Sequence, residues 1–133
     1  RKIRESGVRP FFALGFRNLS RILSHDEFSA LGTVYLSTED GSAGYKGFVT
    51  DIPEFGNEQW DRVYCCGPEP MMKAVAALCR RRDIFCEVSL ENLMACGLGI
   101  CLCCVVPTTS GNLCSCTDGP VFNIKDLKWQ TSE

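Results

Sequence analysis

The 133-residue chain holds a single histidine, His25. It lies where a helix is expected to begin, and a solvated helix-start residue is its expected role, so the usual general base of an active site is missing. Long apolar runs are missing too. No stretch approaches the about 20 residues that a membrane helix requires, and no basic segment leading into an apolar one marks a secretory signal. The expectation is therefore a cytoplasmic protein with no membrane association. Charge of one sign is also absent: 14 Lys and Arg against 16 Asp and Glu leave a net charge of -2 and a pI near 5.5. That balance gives no electrostatic footprint for nucleic acid or anionic lipid. The one basic cluster, Arg80-Arg81-Arg82, falls at an expected helix end, where cations favour the C-terminal carbonyls. Internal repeats and low-complexity tracts are absent.

What is present is one modest core's worth of apolar residues, 45% of the chain with mean hydropathy of zero, and 10 cysteines. In a chain without a secretory signal, that many thiols point to metal or redox use ahead of disulfides. The opening segment "RKIRESGVRP" has no initiator methionine and reads as the last turns of a helix closed by Gly7. The expectation is that the chain is the C-terminal part of something longer.

Strands are expected at 11–17, 32–38, 62–66 and 84–90, the first a short apolar run and the second rich in β-branched and aromatic residues. Between the first two, Ser24 and Glu27 have the spacing of a capping box. After the third, Gly67-Pro68-Glu69-Pro70 leads into a segment in which Met71, Met72, Val75 and Leu78 recur at helical spacing. Strands alternating with helices predict an α/β fold with a parallel sheet. From Asn92 onward glycine, cysteine and short β-prone runs take over. Two domains are expected, 1–91 and 92–133.

Three stretches carry chemistry. In the last module Cys96, Cys101 and Cys104 have the spacing C-x4-C-x2-C, and Cys116 follows after 11 intervening residues. That is the interval pattern of plant-type [2Fe–2S] loops. Zinc sites more often pair two short knuckles, and only Cys101/Cys104 makes one; Cys114 and Cys116 stand too close to make the other. Zinc, disulfides and plain buried thiols remain the alternatives. Gly97 and Gly99 suit a loop whose amides turn inward and whose backbone takes positive φ. Cys103 and Cys114 lie near the set without fitting it, and Cys65, Cys79 and Cys86 are expected in the core. The second stretch, Cys66-Gly67-Pro68, joins a strand to a helix at the carboxyl edge of the sheet, where open α/β sheets bind ligands. The third is the Gly- and Asp-rich loop 37–51, which by itself reads first as a surface turn.

"CGPEPMMKAV", "STEDGSAGYKGFVTD", "SLENLMACGLGICLCCVV" and "CTDGPVF" together resemble the C-terminal half of the electron-transfer subunit of bacterial NAD-dependent dihydroorotate dehydrogenases, within the ferredoxin reductase superfamily. The resemblance implies a Rossmann-like NAD-binding sheet of the ferredoxin reductase type, incomplete at its N-terminus, followed by a small Cys-rich [2Fe–2S] module with short strands. It implies Cys96, Cys101, Cys104 and Cys116 as cluster ligands. Cys66, Gly67 and Pro68 would lie beside the nicotinamide, and Thr38, Glu39, Asp40 and Gly41 would approach the nucleotide. The implied role is to relay electrons between NAD and the FMN of a partner catalytic subunit, through the cluster and FAD, with no substrate chemistry of its own.

Family members carry a FAD-binding barrel and a first α/β strand with a Gly-rich turn that this sequence lacks, so the chain alone is expected to bind no FAD stably. Position 103, often glycine in the family, is cysteine here. The competing expectations are a related relay in another complex, of hydrogenase or sulfide dehydrogenase type, and a structural zinc-binding interaction module.

Overall fold

The structure, a computed structural model, describes residues 6–129; the helix expected at the chain's start falls on residues outside that range. The contacts divide the chain into two units, Arg1–Glu58 and Gln59–Glu133. This division lies elsewhere than the change of composition at residue 92.

In the first unit the apolar run after Pro10 forms β1 (Phe11–Phe16), and the β-branched run after Gly32 forms β2 (Thr33–Thr38). They pair in parallel, with Phe11 opposite Thr33 and Phe16 opposite Thr38. The crossover between them contains α1 (His25–Ser29). The capping box expected there does not form. Ser24 takes φ 56 and makes no side-chain cap bond, which leaves Asp26 and Glu27 to favour the helix N-terminus by charge. A two-residue strand, β3 (Tyr45–Lys46), adds in parallel to β2. Then α2 (Pro53–Asn57), begun by proline at its first position, turns Phe55 inward beside buried Val49 and Ile52.

The second unit opens with β4 (Arg62–Cys66), which leads directly into α3 (Glu69–Arg81). The helix presents Met72, Val75, Ala76 and Cys79 as one buried stripe. β5 (Phe85–Ser89) returns in parallel to β4, with Cys86 and Val88 facing the core. Burial of each such side chain contributes about 1.5–3 kcal/mol, which is why an amphipathic helix of this length holds its place. Past the cysteine-rich loop, β6 (Val105–Thr108) and β7 (Gly111–Cys114) form a hairpin. Finally β8 (Val121–Asn123) runs antiparallel to β5, with Val121 opposite Ser89.

The parallel pairing expected from the sequence is present in both units. The ladders make two three-stranded sheets, β1-β2-β3 and β4-β5-β8, together with the β6-β7 hairpin. Because β8 adds to β5, the cysteine-rich segment begins and ends on the sheet of the second unit. Arg80 strengthens that return: its guanidinium donates to the carbonyls of Ile124 and Leu127. Its role is thus more specific than the general helix-end cation expected.

Candidate functional site

The segment from Cys96 to Cys104 cannot follow a regular helix or strand, because Gly97, Gly99 and Leu102 take φ of 68, 72 and 57. The two glycines adopt this left-handed backbone at little cost, as their placement in the sequence predicts. Leu102 does so without glycine's freedom, and no sequence signal marks it. With the backbone coiled in this way, amides turn toward sulfur. Leu98 N donates to Cys96 Sγ at 3.3 Å. Amide hydrogen bonds from Cys101 and Leu98, the Cys101 thiol and the Ile100 amide pull the Cys96 thiol down to about 6. It is therefore held as the thiolate, the form that binds metal.

The four spaced cysteines lie near one another. Cys96 hydrogen-bonds with Cys101, and Cys104 with both Cys116 and Cys114. Cys96 is close enough to act electrostatically on Cys116, whose thiol accepts the Gly99 amide. Cys104 is drawn below the usual thiol range, first by the Cys116 amide and then by the Cys116 thiol. Cys116 is pushed up in return, chiefly because its proton is shared with Cys104. Among the described residues, no three His, Cys, Asp or Glu side chains converge where a single metal ion would sit.

Of the two extra thiols, Cys103 is exposed, whereas Cys114 turns into the loop and donates to Gly99 O at 3.8 Å. Cys79 and Cys86 are buried away from this loop, and burial pushes half-buried Cys65 up to about 11. Ser115, between Cys114 and Cys116, is fully buried, and its Oγ finds no hydrogen-bond partner. Around the loop Leu93, Met94, Leu98, Ile100 and Leu102 stand in solvent with 45% to 84% of their surface exposed. They are five exposed apolar side chains within ten residues of the chain.

At the carboxyl ends of the parallel strands lie the other expected site residues. Cys66 is exposed at the end of β4, and its thiol points to Glu91 Oε1 at 3.6 Å; no sequence signal marks Glu91, which stands just past β5. Gly67 and Pro68 border an open cavity of about 560 Å³ that also takes in Met72, Lys73, Glu91 and Trp129. In the first unit Thr38 ends β2 fully buried, where its hydroxyl donates to Ala43 O at 2.7 Å and accepts from Ala43 N at 3.0 Å. Asp40 holds the next turn. Its Oδ1 accepts from Ser42 Oγ at 2.6 Å and Ser42 N at 2.9 Å, and these bonds keep its carboxyl below the ordinary 3.8. Glu39 is exposed beside it, and Gly41 turns the chain with φ 77. Thr38 and Asp40 are thus occupied in shaping the loop, while Glu39 is exposed. No helix among the described residues is long and apolar enough to cross a membrane.

The fold and the thiol cradle define a class: iron–sulfur-binding electron-transfer chains with a ferredoxin reductase-like architecture. A chain in the structure of an NADH-dependent reduced ferredoxin–NADP oxidoreductase, a subject of work on flavin-based electron bifurcation, superposes with a TM-score of 0.83 at 32% identity. The match covers 96% of this chain and 47% of that one.

The particular family is narrower. Residues 91–128 match the family model for the iron–sulfur cluster binding domain of dihydroorotate dehydrogenase B. The NAD(+)-type dihydroorotate dehydrogenase B electron transfer subunit of Shouchella clausii is 40% identical over 131 residues, 96% of this chain and 50% of that protein. That of Clostridium perfringens is 49% identical over 90 residues, 68% of this chain and 36% of that protein. The chain belongs to the family of electron transfer subunits of this enzyme and corresponds to their C-terminal portion. It spans about half the length of the curated relatives it matches.

Proposed function

We propose that this chain is the electron-relay portion of a dihydroorotate dehydrogenase B, passing electrons between NAD and the FMN of a catalytic partner subunit. The observation that supports the reading is the gathering of Cys96, Cys101, Cys104 and Cys116, with amides turned toward sulfur, within the stretch that matches the cluster-binding family. Four thiolates are what a [2Fe–2S] cluster would take from the protein, and these four cysteines would supply them. Cys96 and Cys101 would hold one iron, and Cys104 and Cys116 the other. A single zinc ion would instead need its ligands to converge on one point. When bound, the cluster supplies one-electron transfer, which a nicotinamide alone does not.

The chain's own residues do the rest. The amides of Leu98, Ile100 and Cys101 stabilise negative charge on Cys96 Sγ and so favour deprotonated, ligating sulfur. Cys66, Gly67 and Pro68 form the turn proposed to stand beside the nicotinamide, and Thr38, Glu39, Asp40 and Gly41 the loop proposed to meet the nucleotide. In this reading residues 1–91 are the partial NAD-binding domain, of Rossmann-like type, and 92–133 the cluster module. FAD belongs to a barrel of the longer protein. The exposed apolar side chains of Leu93, Leu98, Ile100 and Leu102 would meet the flavoprotein partner and exclude water from the electron path. The proposed setting is cytoplasmic pyrimidine synthesis.

Anaerobic purification followed by metal analysis and electron paramagnetic resonance tests this directly. The expected result is about two irons and two acid-labile sulfides per chain, with a reduced-state signal. One tightly bound zinc in a colourless solution would sink the reading. A second reading, the same relay in a different complex, is favoured by the likeness to the ferredoxin–NADP oxidoreductase chain. Reconstitution distinguishes the two: reduction of the cluster by dihydroorotate in the presence of its flavoprotein supports the first, and reduction only by ferredoxin supports the second.

A further inference from the structure

Buried hydroxyl groups nearly always find a partner, and one that does not calls for an explanation at the place where it sits. Ser115 is such a group. It is fully buried, and its Oγ has no hydrogen-bond partner. Its surroundings are unusual: it is bonded on either side to Cys114 and Cys116, and its backbone N donates to Cys104 O at 3.0 Å. Two of those three cysteines are the proposed ligands of one iron. Neighbouring donors are already committed. The Cys114 amide is held by Asp118 Oδ2 at 2.7 Å, the amides of Thr117 and Asp118 both turn back to Cys114 O, and the Cys114 thiol faces Gly99 O. The Ser115 hydroxyl is a buried donor of this turn with no partner among the described residues.

We infer that Ser115 is a hydroxyl donor to the cluster, its Oγ–H satisfied by a ligand thiolate or bridging sulfide when the loop is loaded, and that it raises the reduction potential. The inference rests on the cluster-binding reading above and adds to it a residue outside the ligand set. The sign is set by charge. Reduction adds an electron to an already anionic iron–sulfur unit, a hydrogen bond to sulfur stabilises the more negative state, and the potential therefore rises. Without the cluster the same hydroxyl is a buried donor with nothing to bond to, so its removal should not weaken the empty chain.

Those two consequences make the test specific. The wild-type chain, Ser115→Ala and Ser115→Thr are loaded anaerobically, and iron and sulfide content and the reduced-state spin signal are measured first. Failure of the wild-type chain to hold a cluster would defeat the reading on which the inference rests, independently of any potential measured in the variants. With the cluster present, S115A is expected to lower the reduced-to-oxidised ratio at a fixed poise about tenfold, a fall of about 59 mV for one electron. Its iron content should be unchanged, and S115T should restore the wild-type potential. Resonance Raman bands of the iron–sulfur stretches should shift in D2O for wild type and S115T, and less for S115A. Thermal unfolding of the empty chain should occur no lower in S115A than in wild type. An S115A potential equal to wild type, or an equal loss in S115A and S115T, would overturn the inference; so would an empty S115A chain that melts lower, which would make Ser115 a packing residue.

Discussion

Each cysteine's fate is decided by the few atoms around it. Cys101 is exposed and shares a hydrogen bond with Cys96, whereas Cys79 is sealed between helix and strand beside Cys86. In the loaded protein Cys101→Ser is expected to abolish the visible absorption bands, and Cys79→Ser to leave them intact while costing about 1–2 kcal/mol for a buried hydroxyl. Absorption spectra with urea denaturation read both. Equal loss of colour in the two variants would show that the bands report folding and no particular ligand set. Glycines offer a second contrast. A side chain on Gly44 would bring a carbon to 2.1 Å from Leu36 O at φ 64, whereas Gly56 has nothing within 4 Å. Gly44→Ala should therefore cost about 3 kcal/mol or more, and Gly56→Ala should leave stability within about 1 kcal/mol of wild type, by the same denaturation measurement.

Among the elements, those with strong periodicity were legible from sequence and those that depend on distant partners were not. The stripe Met72, Val75, Cys79 belongs to a helix whatever it packs against, and β1, β2, β4 and β5 stand within a residue or so of where their apolar and β-branched runs place them, whereas the short parallel β3 was not expected. The β7 strand, "GNLC", has no such pattern and exists because it pairs with β6. The capping box at Ser24 fails for a related reason: spacing supplies the right residues, and the left-handed φ of Ser24 takes its hydroxyl out of reach. Within the site, the cysteine spacing was readable because Cys96, Cys101 and Cys104 stand in one loop, with Cys116 returning just past the β6–β7 hairpin. Glu91 beside Cys66, and the unpartnered Ser115, emerge only once strands align. Arg80 is the element-scale contact most open to test. Its guanidinium serves two backbone carbonyls near the chain's end, so Arg80→Met, which keeps much of the aliphatic stem, should cost about 1–3 kcal/mol. Amide exchange at Ile124 and Asp126 should speed by roughly tenfold, while exchange in β1 and β2 stays unchanged.

At the scale of the whole molecule, metal binding and folding draw on one free energy. A ligand that binds the folded loop and not the unfolded chain stabilises the unit that contains it. Removing the cluster by chelation is expected to lower the unfolding temperature of the second unit and to speed amide exchange across 92–120. Exchange in the first unit, Arg1–Glu58, should not respond, and hydrogen exchange with mass spectrometry separates the two regions.

The antiparallel rung between Ser89 and Val121 also sets where the two ends of the cysteine-rich segment lie. Leu90 N donates to Pro120 O at 3.0 Å, so the chain leaves the sheet and returns to it at the same point. In effect β5 and β8 are the arms of a hairpin in which the tip has been replaced by an entire redox cartridge. All four spaced cysteines, Cys96 to Cys116, lie between those two anchors, so closing the arms returns both ends of the set to one edge of the sheet.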